Sequence, residues 1–303
     1  MARYNHKNVA VAALPVAAFA NVASKPALRD HHKKRKSVLT FNKERKIMKT
    51  LALLTTTALI AAAAGLAQAQ EVRIGIAAEP YPPFASPDAA GNWVGWEVEI
   101  IDAVCAAAAL DCVLTPTAWD GIIPALVSGR IDTIMASMSI TADRMQTIDF
   151  SDPYYNTPTV IVGQRNMQMD ASPESLAGKV LGVQVSTIHQ SYAQAYFEGA
   201  TELRTYQTQD EANQDLAAGR IDATQADSLA MDDFLATAAG ACCEVKGAVA
   251  ADEAILGAGV GAGVRKGDDA LREAINTGIA AIIADGTYDA ITAGYFATSI
   301  LGN

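Results

Sequence analysis

Leu126-Val-Ser-Gly-Arg-Ile-Asp-Thr133 and Leu216-Ala-Ala-Gly-Arg-Ile-Asp-Ala223 are near-copies of each other, 90 residues apart. In each copy an apolar helical run stops at a glycine, the residue that takes the left-handed turn after a helix at no steric cost. An Ile-Asp pair then opens an extended segment. Matches at equivalent places in successive stretches predict two structural units of one kind.

The flanking patterns fill out both units. In the first, Val72–Ala77 alternates and is rich in β-branched residues, which predicts a strand. Pro80, Pro82 and Pro83 impose a loop after it, and Asp88–Asn92 reads as a turn. Glu97–Ala109 has helical periodicity, Cys112–Pro116 is a short strand, Asp120–Ser128 a helix and Ile131–Ser137 a strand. In the second unit, strands are expected at Lys179–Val185, Glu202–Thr205 and Ile221–Gln225, with helices at Thr187–Glu198 and Gln209–Ala218. Tyr154–Val162 reads as a strand passing from one unit to the other, and Ile255–Val264 as the return. Asp269–Ala284 is a helix capped by Asp268 or Asp269 and followed by Gly286; Thr287–Tyr295 is one more short helix. Strands and helices alternating at these lengths give an α/β fold of two parallel-rich lobes. The expected division is residues 70–157 with 254–303 in lobe 1 and residues 158–253 in lobe 2.

Half of the 303 residues are hydrophobic, ample for two medium lobes. Before them, Met48-Lys49 precedes an apolar run from Leu51 to Gly65 that closes on Ala67-Gln68-Ala69. A cationic start, an apolar core and a small-x-small ending are the layout of a cleaved signal peptide, here residues 48–69. Residues 1–47 carry the cluster His31-His-Lys-Lys-Arg-Lys36 and no periodic pattern, so Met48 is expected to be the translation start. Residues 1–69 hold 12 of the 23 Lys and Arg and 2 of the 33 Asp and Glu, leaving 11 basic against 31 acidic residues, net −20. Such a surface repels nucleic acid and anionic membranes.

All four cysteines, Cys105, Cys112, Cys242 and Cys243, follow that stretch. An even count in an exported chain points to disulfides. Cys105 and Cys112 bracket a helix end and a strand start, which allows a local bridge. Cys242 and Cys243 are adjacent, where a bridge is strained, and their state is left open. With His189 the only histidine after residue 69 and no Cys-x-x-Cys, no metal site is expected.

Ligands of open α/β sheets bind beyond the carboxyl ends of the strands. Those ends carry Glu79, Tyr81 and Phe84; Trp119; Ala136, Ser137, Ser139, Thr141 and Arg144; Ser186, Thr187 and Ile188; and Asp227. The set reads as an amino-acid clamp. Arg144 offers a fork for a carboxylate. Ser137, Ser139 and the helix start at Thr187 offer further donors. Asp227 can accept an α-ammonium, although it also stands where a helix N-cap belongs. Tyr81 and Trp119 can sandwich a side-chain stem, and Glu79 can meet a cationic end. His189 reads as a helix-surface residue.

At these residues the chain resembles the bacterial extracellular solute-binding proteins of family 3, in particular the lysine/arginine/ornithine and histidine binders. The markers are Glu79-Pro-Tyr-Pro-Pro-Phe84, Gly95-Trp-Glu97, Trp119-Asp-Gly-Ile-Ile-Pro124, Arg130-Ile-Asp132, Ala136-Ser-Met-Ser-Ile-Thr141 with Arg144, Phe150-Ser-Asp-Pro-Tyr154, Gly219-Arg-Ile-Asp222 and Asp285-Gly-Thr-Tyr288. The resemblance implies a type II periplasmic binding protein fold, two α/β lobes joined by two crossing strands with a ligand cleft between them. It implies that Arg144 grips a ligand carboxylate with Ser137 and the Thr187 backbone, and that Ser139 and Asp227 take the ammonium. Tyr81 and Trp119 flank the side chain, Gln184 edges the pocket beside Ala136 and Ile188, and the lobes close by a hinge. The Cys105–Cys112 spacing matches a disulfide of that family. Where the family often has Gly-Thr-Thr, this chain has Ser186-Thr187-Ile188, one hydroxyl fewer.

The function implied is the periplasmic substrate-binding component of an amino-acid ABC importer. It takes a polar, basic amino acid, needs no cofactor, and works as a monomer with inner-membrane permease subunits and no nucleic acid. Two alternatives share the fold: an arogenate/prephenate dehydratase-like enzyme, and a ligand sensor for a receptor.

Overall fold

The computed structural model describes residues 71–302. The stretches 1–47 and 48–69, read above as an extension and a signal peptide, lie outside the described residues. The chain opens with β1 (Glu71–Ala77), a hairpin of β2 (Ser86–Pro87) and β3 (Trp93–Val94), and α1 (Trp96–Ala107). It continues through β4 (Asp111–Thr117), α2 (Ile122–Val127), β5 (Thr133–Ile134) and β6 (Ile148–Tyr155). Then come β7 (Thr159–Gln164), α3 (Pro173–Leu176), β8 (Val180–Gln184), α4 (Ile188–Tyr196) and β9 (Glu202–Tyr206). After α5 (Gln209–Ala217), β10 (Ala223–Asp227), α6 (Ser228–Ala236) and β11 (Cys243–Ala248), the chain returns through α7 (Glu253–Leu256) to β12 (Val260–Arg265). It ends with α8 (Asp269–Ala284) and α9 (Thr287–Thr292).

Two five-stranded sheets result, ordered β4-β1-β5-β12-β6 and β11-β7-β10-β8-β9. Their patterns correspond. β4, β1 and β5 run parallel, with β12 antiparallel beside β5 and β6 antiparallel beside β12. β9, β8 and β10 run parallel, with β7 antiparallel beside β10 and β11 antiparallel beside β7. The fold is therefore two-lobed and α/β, with mixed sheets.

The sequence repeat has a structural counterpart. Gly129 and Gly219 follow their helices at φ of 73° and 69° and donate to Leu126 and Leu216 carbonyls. The aspartate after each then hooks onto the neighbouring parallel strand. Asp132 accepts from the Arg73 N–H at 3.0 Å, and Asp222 from the Val180 N–H at 2.8 Å. Arg73 and Arg265 also pair with Asp132, whose carboxyl they hold below its usual range against the effect of burial.

Helices cover both faces of each sheet. In lobe 1, α1 and α8 lie over Ile74, Ile76 and Val264, and α2 seals Ile122 and Leu126 against Ile131 and Ile134. Trp96 anchors the first layer, its indole N–H donating to Thr292 Oγ1 at 3.1 Å. In lobe 2, α4 packs Tyr192 and Ala193 on Leu181 and Val183, while Leu216 and Met231 close the other face on Val162 and Ile221. Cys105 in α1 is bonded to Cys112 in β4, their Cα atoms 6.2 Å apart. Cys242 and Cys243 are also bonded to each other.

Three expectations about elements need correction. Tyr154–Val162 is not one strand but the end of β6 and the start of β7, in different sheets. Pro158 interrupts it, since proline donates no ladder hydrogen bond and steers the residue before it. Ile255–Val264 begins as helix: Asp252 caps α7 by accepting from the Ala254 N–H at 3.0 Å, Gly257 and Gly259 turn the chain, and the strand starts at Val260. Ile131–Ser137 shrinks to Thr133–Ile134, because the residues after Ile134 leave the sheet for the cleft. The edge strand β11, which pairs only with β7 and is broken by an irregularity between Val245 and Gly247, had no expected counterpart.

Candidate functional site

The carboxyl ends of the parallel strands of both sheets meet at one cavity. Ala77 ends β1, Trp119 follows β4, and Ala136 and Ser137 follow β5; from lobe 2, Gln184 ends β8 and Asp227 ends β10. All eleven residues expected at the site line it: Glu79, Tyr81, Trp119, Ala136, Ser137, Ser139, Arg144, Gln184, Thr187, Ile188 and Asp227. Glu97, His189 and Gln209 line it too and were not foreseen.

Arg144 stands in a single helical turn after the β5 loop. Its Nη1 donates to the Ser139 carbonyl at 2.9 Å and its Nη2 reaches the Ser186 carbonyl of lobe 2 at 3.4 Å. The guanidinium carbon lies 5.5 Å from the centre of the Trp119 ring, a cation–π arrangement. Burial pulls its pKa down to about 10, so it remains a cation at neutral pH. The Trp119 indole N–H also crosses the cleft, to the Ser186 carbonyl at 3.2 Å. The Trp119 backbone N–H is held by the Glu79 carboxylate at 3.2 and 3.3 Å.

Thr187 caps α4: its hydroxyl accepts from the Gln190 N–H at 3.1 Å and donates to the Gln184 carbonyl at 2.8 Å. Gln184 turns its amide to the Gln207 carbonyl at 3.0 Å. Ser186, at φ 60°, swings its own carbonyl toward lobe 1.

Ser137 also has a left-handed backbone, φ 55°. Both its donors are engaged by Glu97, the N–H at 2.9 Å and the hydroxyl at 3.0 Å. This differs from the expected role, in which Ser137 donates toward a ligand. Glu97 sits in the first turn of α1, is fully buried, and accepts from the Tyr154 hydroxyl as well. Burial pushes its carboxyl up, opposed by those hydrogen bonds.

Asp227 precedes α6 but its side chain makes no capping bond. It points into the cleft instead, accepting from the Tyr81 hydroxyl of lobe 1 at 2.7 Å. Burial and the adjacent Asp227 charge push the Tyr81 hydroxyl well above its usual range. His189 corrects the sequence reading. It is 4 % exposed, not a surface residue, with Nε2 3.5 Å from Asp227 Oδ1 and Nδ1 3.3 Å from Thr159 Oγ1. The spacing of Ile188, Tyr192 and Ala193, which share its buried face, was the available signal. Glu97 gave a weaker one, because an acid in the first turn of a helix ordinarily serves the dipole in solvent. Among the described residues no group of His, Cys, Asp and Glu is placed to hold a metal, and no helix is long and apolar enough to cross a membrane.

The family model for bacterial extracellular solute-binding proteins, family 3, matches residues 72–298. The chain belongs to this family. It is 39 % identical over 259 residues to the L-arginine-binding protein of Pseudomonas aeruginosa, covering 84 % of this chain and all of that one. It is 36 % identical over 261 residues to the histidine-binding periplasmic protein of Salmonella typhimurium, again over 84 % of this chain and all of the other. Among solved structures, an ancestral arginine-binding protein bound to glutamine superposes with a TM-score of 0.69 at 32 % identity, covering 75 % of this chain and 98 % of that one. The family's two-lobed architecture is the one described above, and its cleft is where the lining residues converge.

Proposed function

We propose that this family member captures a free basic amino acid in the periplasm and presents it to the permease of an amino-acid ABC importer. The observation that carries the reading is the distribution of charge in the cleft. Arg144 is the only guanidinium among the lining residues, while Glu79, Glu97 and Asp227 are all carboxyls. An amino acid brings a carboxylate for Arg144 and the start of α4, and an ammonium for Asp227 and Ser139. Glu97 is already engaged by Ser137 and Tyr154. Glu79 at the rim then favours a ligand with a second positive charge, its stem held between Tyr81 and Trp119.

The moving bodies in this proposal are residues 70–157 with 254–303, and residues 158–253, turning about the two chain crossings. The protein acts as a monomer and without turnover; the relatives named above are binding proteins, which supports capture. A thermal-shift screen against amino acids after unfolding and refolding tests this. Arginine, lysine or ornithine should raise the melting temperature. The shift should vanish in Arg144→Ala, and in Glu79→Gln the preference for arginine over glutamine should shrink. Equal shifts with neutral and basic amino acids would remove the basic assignment. Conversion of arogenate or prephenate would replace capture by catalysis.

A further inference from the structure

His189 is the one histidine among the described residues, and it is buried against the cleft. Its two ring nitrogens face different partners. Nδ1 meets the Thr159 hydroxyl of β7 at 3.3 Å, and Nε2 stands 3.5 Å from Asp227 Oδ1 of β10. A hydroxyl can donate or accept, so Thr159 satisfies Nδ1 whether or not that nitrogen carries a proton. The pocket therefore accommodates both the neutral and the protonated ring without leaving a buried polar atom unpaired.

The charged and titratable groups around the ring are few. Asp227 is the carboxylate it touches, and the Tyr81 hydroxyl holds the other Asp227 oxygen at 2.7 Å from lobe 1. Glu97, Tyr155 and Arg144 act on Asp227 from the far side of the cleft. On the α7 side of α4, Asp252 is engaged by the Tyr196 hydroxyl at 2.6 Å. No lysine or arginine pairs with Asp227 among the described residues. An imidazolium at His189 would be its cation.

Resting on the amino-acid reading above, we infer that His189 is a positioning residue for Asp227 whose protonation competes with the ligand's ammonium, so that acidification releases the ligand. In its neutral form the ring can turn an Nε2–H toward Asp227 Oδ1, and with Tyr81 it fixes the carboxylate for an incoming ammonium. Once protonated, the ring places a second positive charge at the carboxylate the ammonium needs. Binding then requires loss of that proton. Ligand binding therefore favours neutral His189, and affinity falls as protonation of the ring becomes complete with falling pH. One proton displaced per ligand bounds the effect at about tenfold in Kd per pH unit.

Arginine is the probe, because its own groups keep their charge between about pH 5 and 8. Calorimetry on the full chain, in buffers of different ionisation heat, should show proton release on arginine binding below neutrality. Kd should rise as pH falls toward 5. In His189→Gln the proton release and the slope should disappear, whatever that variant's affinity at pH 8, while Asp252→Asn, outside the cavity lining, should keep both. Proton release and slope retained in His189→Gln, or lost in Asp252→Asn alone, would overturn the inference. Absence of binding to arginine, lysine or ornithine at pH 8 would instead strike the amino-acid reading. The pair is then read directly by NMR. The imidazole signal missing from His189→Gln should titrate at lower pH in Asp227→Asn, and an unchanged midpoint would overturn the pairing.

Discussion

Ser137 adopts a left-handed backbone that a side chain enters at a cost of roughly 1 kcal/mol, and Glu97 engages both of its donors there. Replacing Glu97 by alanine strands the Ser137 and Tyr154 donors in a buried site. Glu97→Ala should lose about 3 kcal/mol in urea unfolding. Glu97→Gln keeps the shape and should lose less. Burial raises the Glu97 carboxyl above its ordinary 4.5, so its ionisation opposes folding. The stability it contributes is complete below pH 4.5 and declines as pH rises through the raised value. Glu97→Gln should lack that decline when urea midpoints are compared across pH. Arg144 is a second residue whose geometry matters as much as its charge. Its two terminal nitrogens bridge Ser139 and Ser186 carbonyls, and a lysine offers a point charge in place of the fork. Arg144→Lys should weaken arginine binding at least tenfold, about 1.4 kcal/mol by calorimetry.

The element most informative in the sequence was the helix end followed by Gly-Arg-Ile-Asp. The glycine is demanded by a positive φ and the aspartate by the N–H of the adjacent strand, so both are tied to local backbone geometry and readable without a structure. Gly129→Ala adds a Cβ with open space around it, so its cost is conformational alone, about 1 kcal/mol. Asp132→Ala should cost more than Asp222→Ala in chemical denaturation, because Asp132 also pairs with Arg73 and Arg265. Buried strands such as β1 and β8 were legible by their β-branched runs. The edge strand β11 was not. Its hydrogen bonds go to one neighbour only, its apolar Val245 is exposed, and its pairing is set by tertiary contact with β7. The first crossing was misjudged for another reason: strand-favouring aromatic and β-branched residues flank Asn156-Thr157-Pro158 on both sides, so the break that Pro158 imposes was read through.

For the molecule as a whole, the rule that ligands gather beyond strand ends was enough to pick out residues that the fold brings to one cavity from two sheets. What it could not pick out was the layer beneath, since Glu97 and His189 sit on helices and reach the cavity only through packing. Across the cleft, Tyr81 holds Asp227, and Trp119 and Arg144 hold Ser186. Tyr81→Phe removes one of these ties and one Asp227 partner; it should speed arginine release in stopped-flow measurements while leaving the melting temperature of the unliganded protein nearly unchanged. The Cys105–Cys112 bond closes a loop of sequence separation 7. Its loss in a double Cys→Ser variant should cost about 2.5 kcal/mol by the chain-entropy relation, with the lobe 1 transition shifted in calorimetry.

The placement of tryptophan has a practical side. Of the three indoles, Trp96 is walled into the lobe 1 core and Trp93 lies on the small hairpin, while Trp119 alone donates from one lobe to a carbonyl of the other. Separation of the lobes exchanges that carbonyl for water around a single chromophore. Its emission colour and quenching by iodide should therefore report the angle between the lobes, so the protein carries its own optical gauge and needs no attached dye.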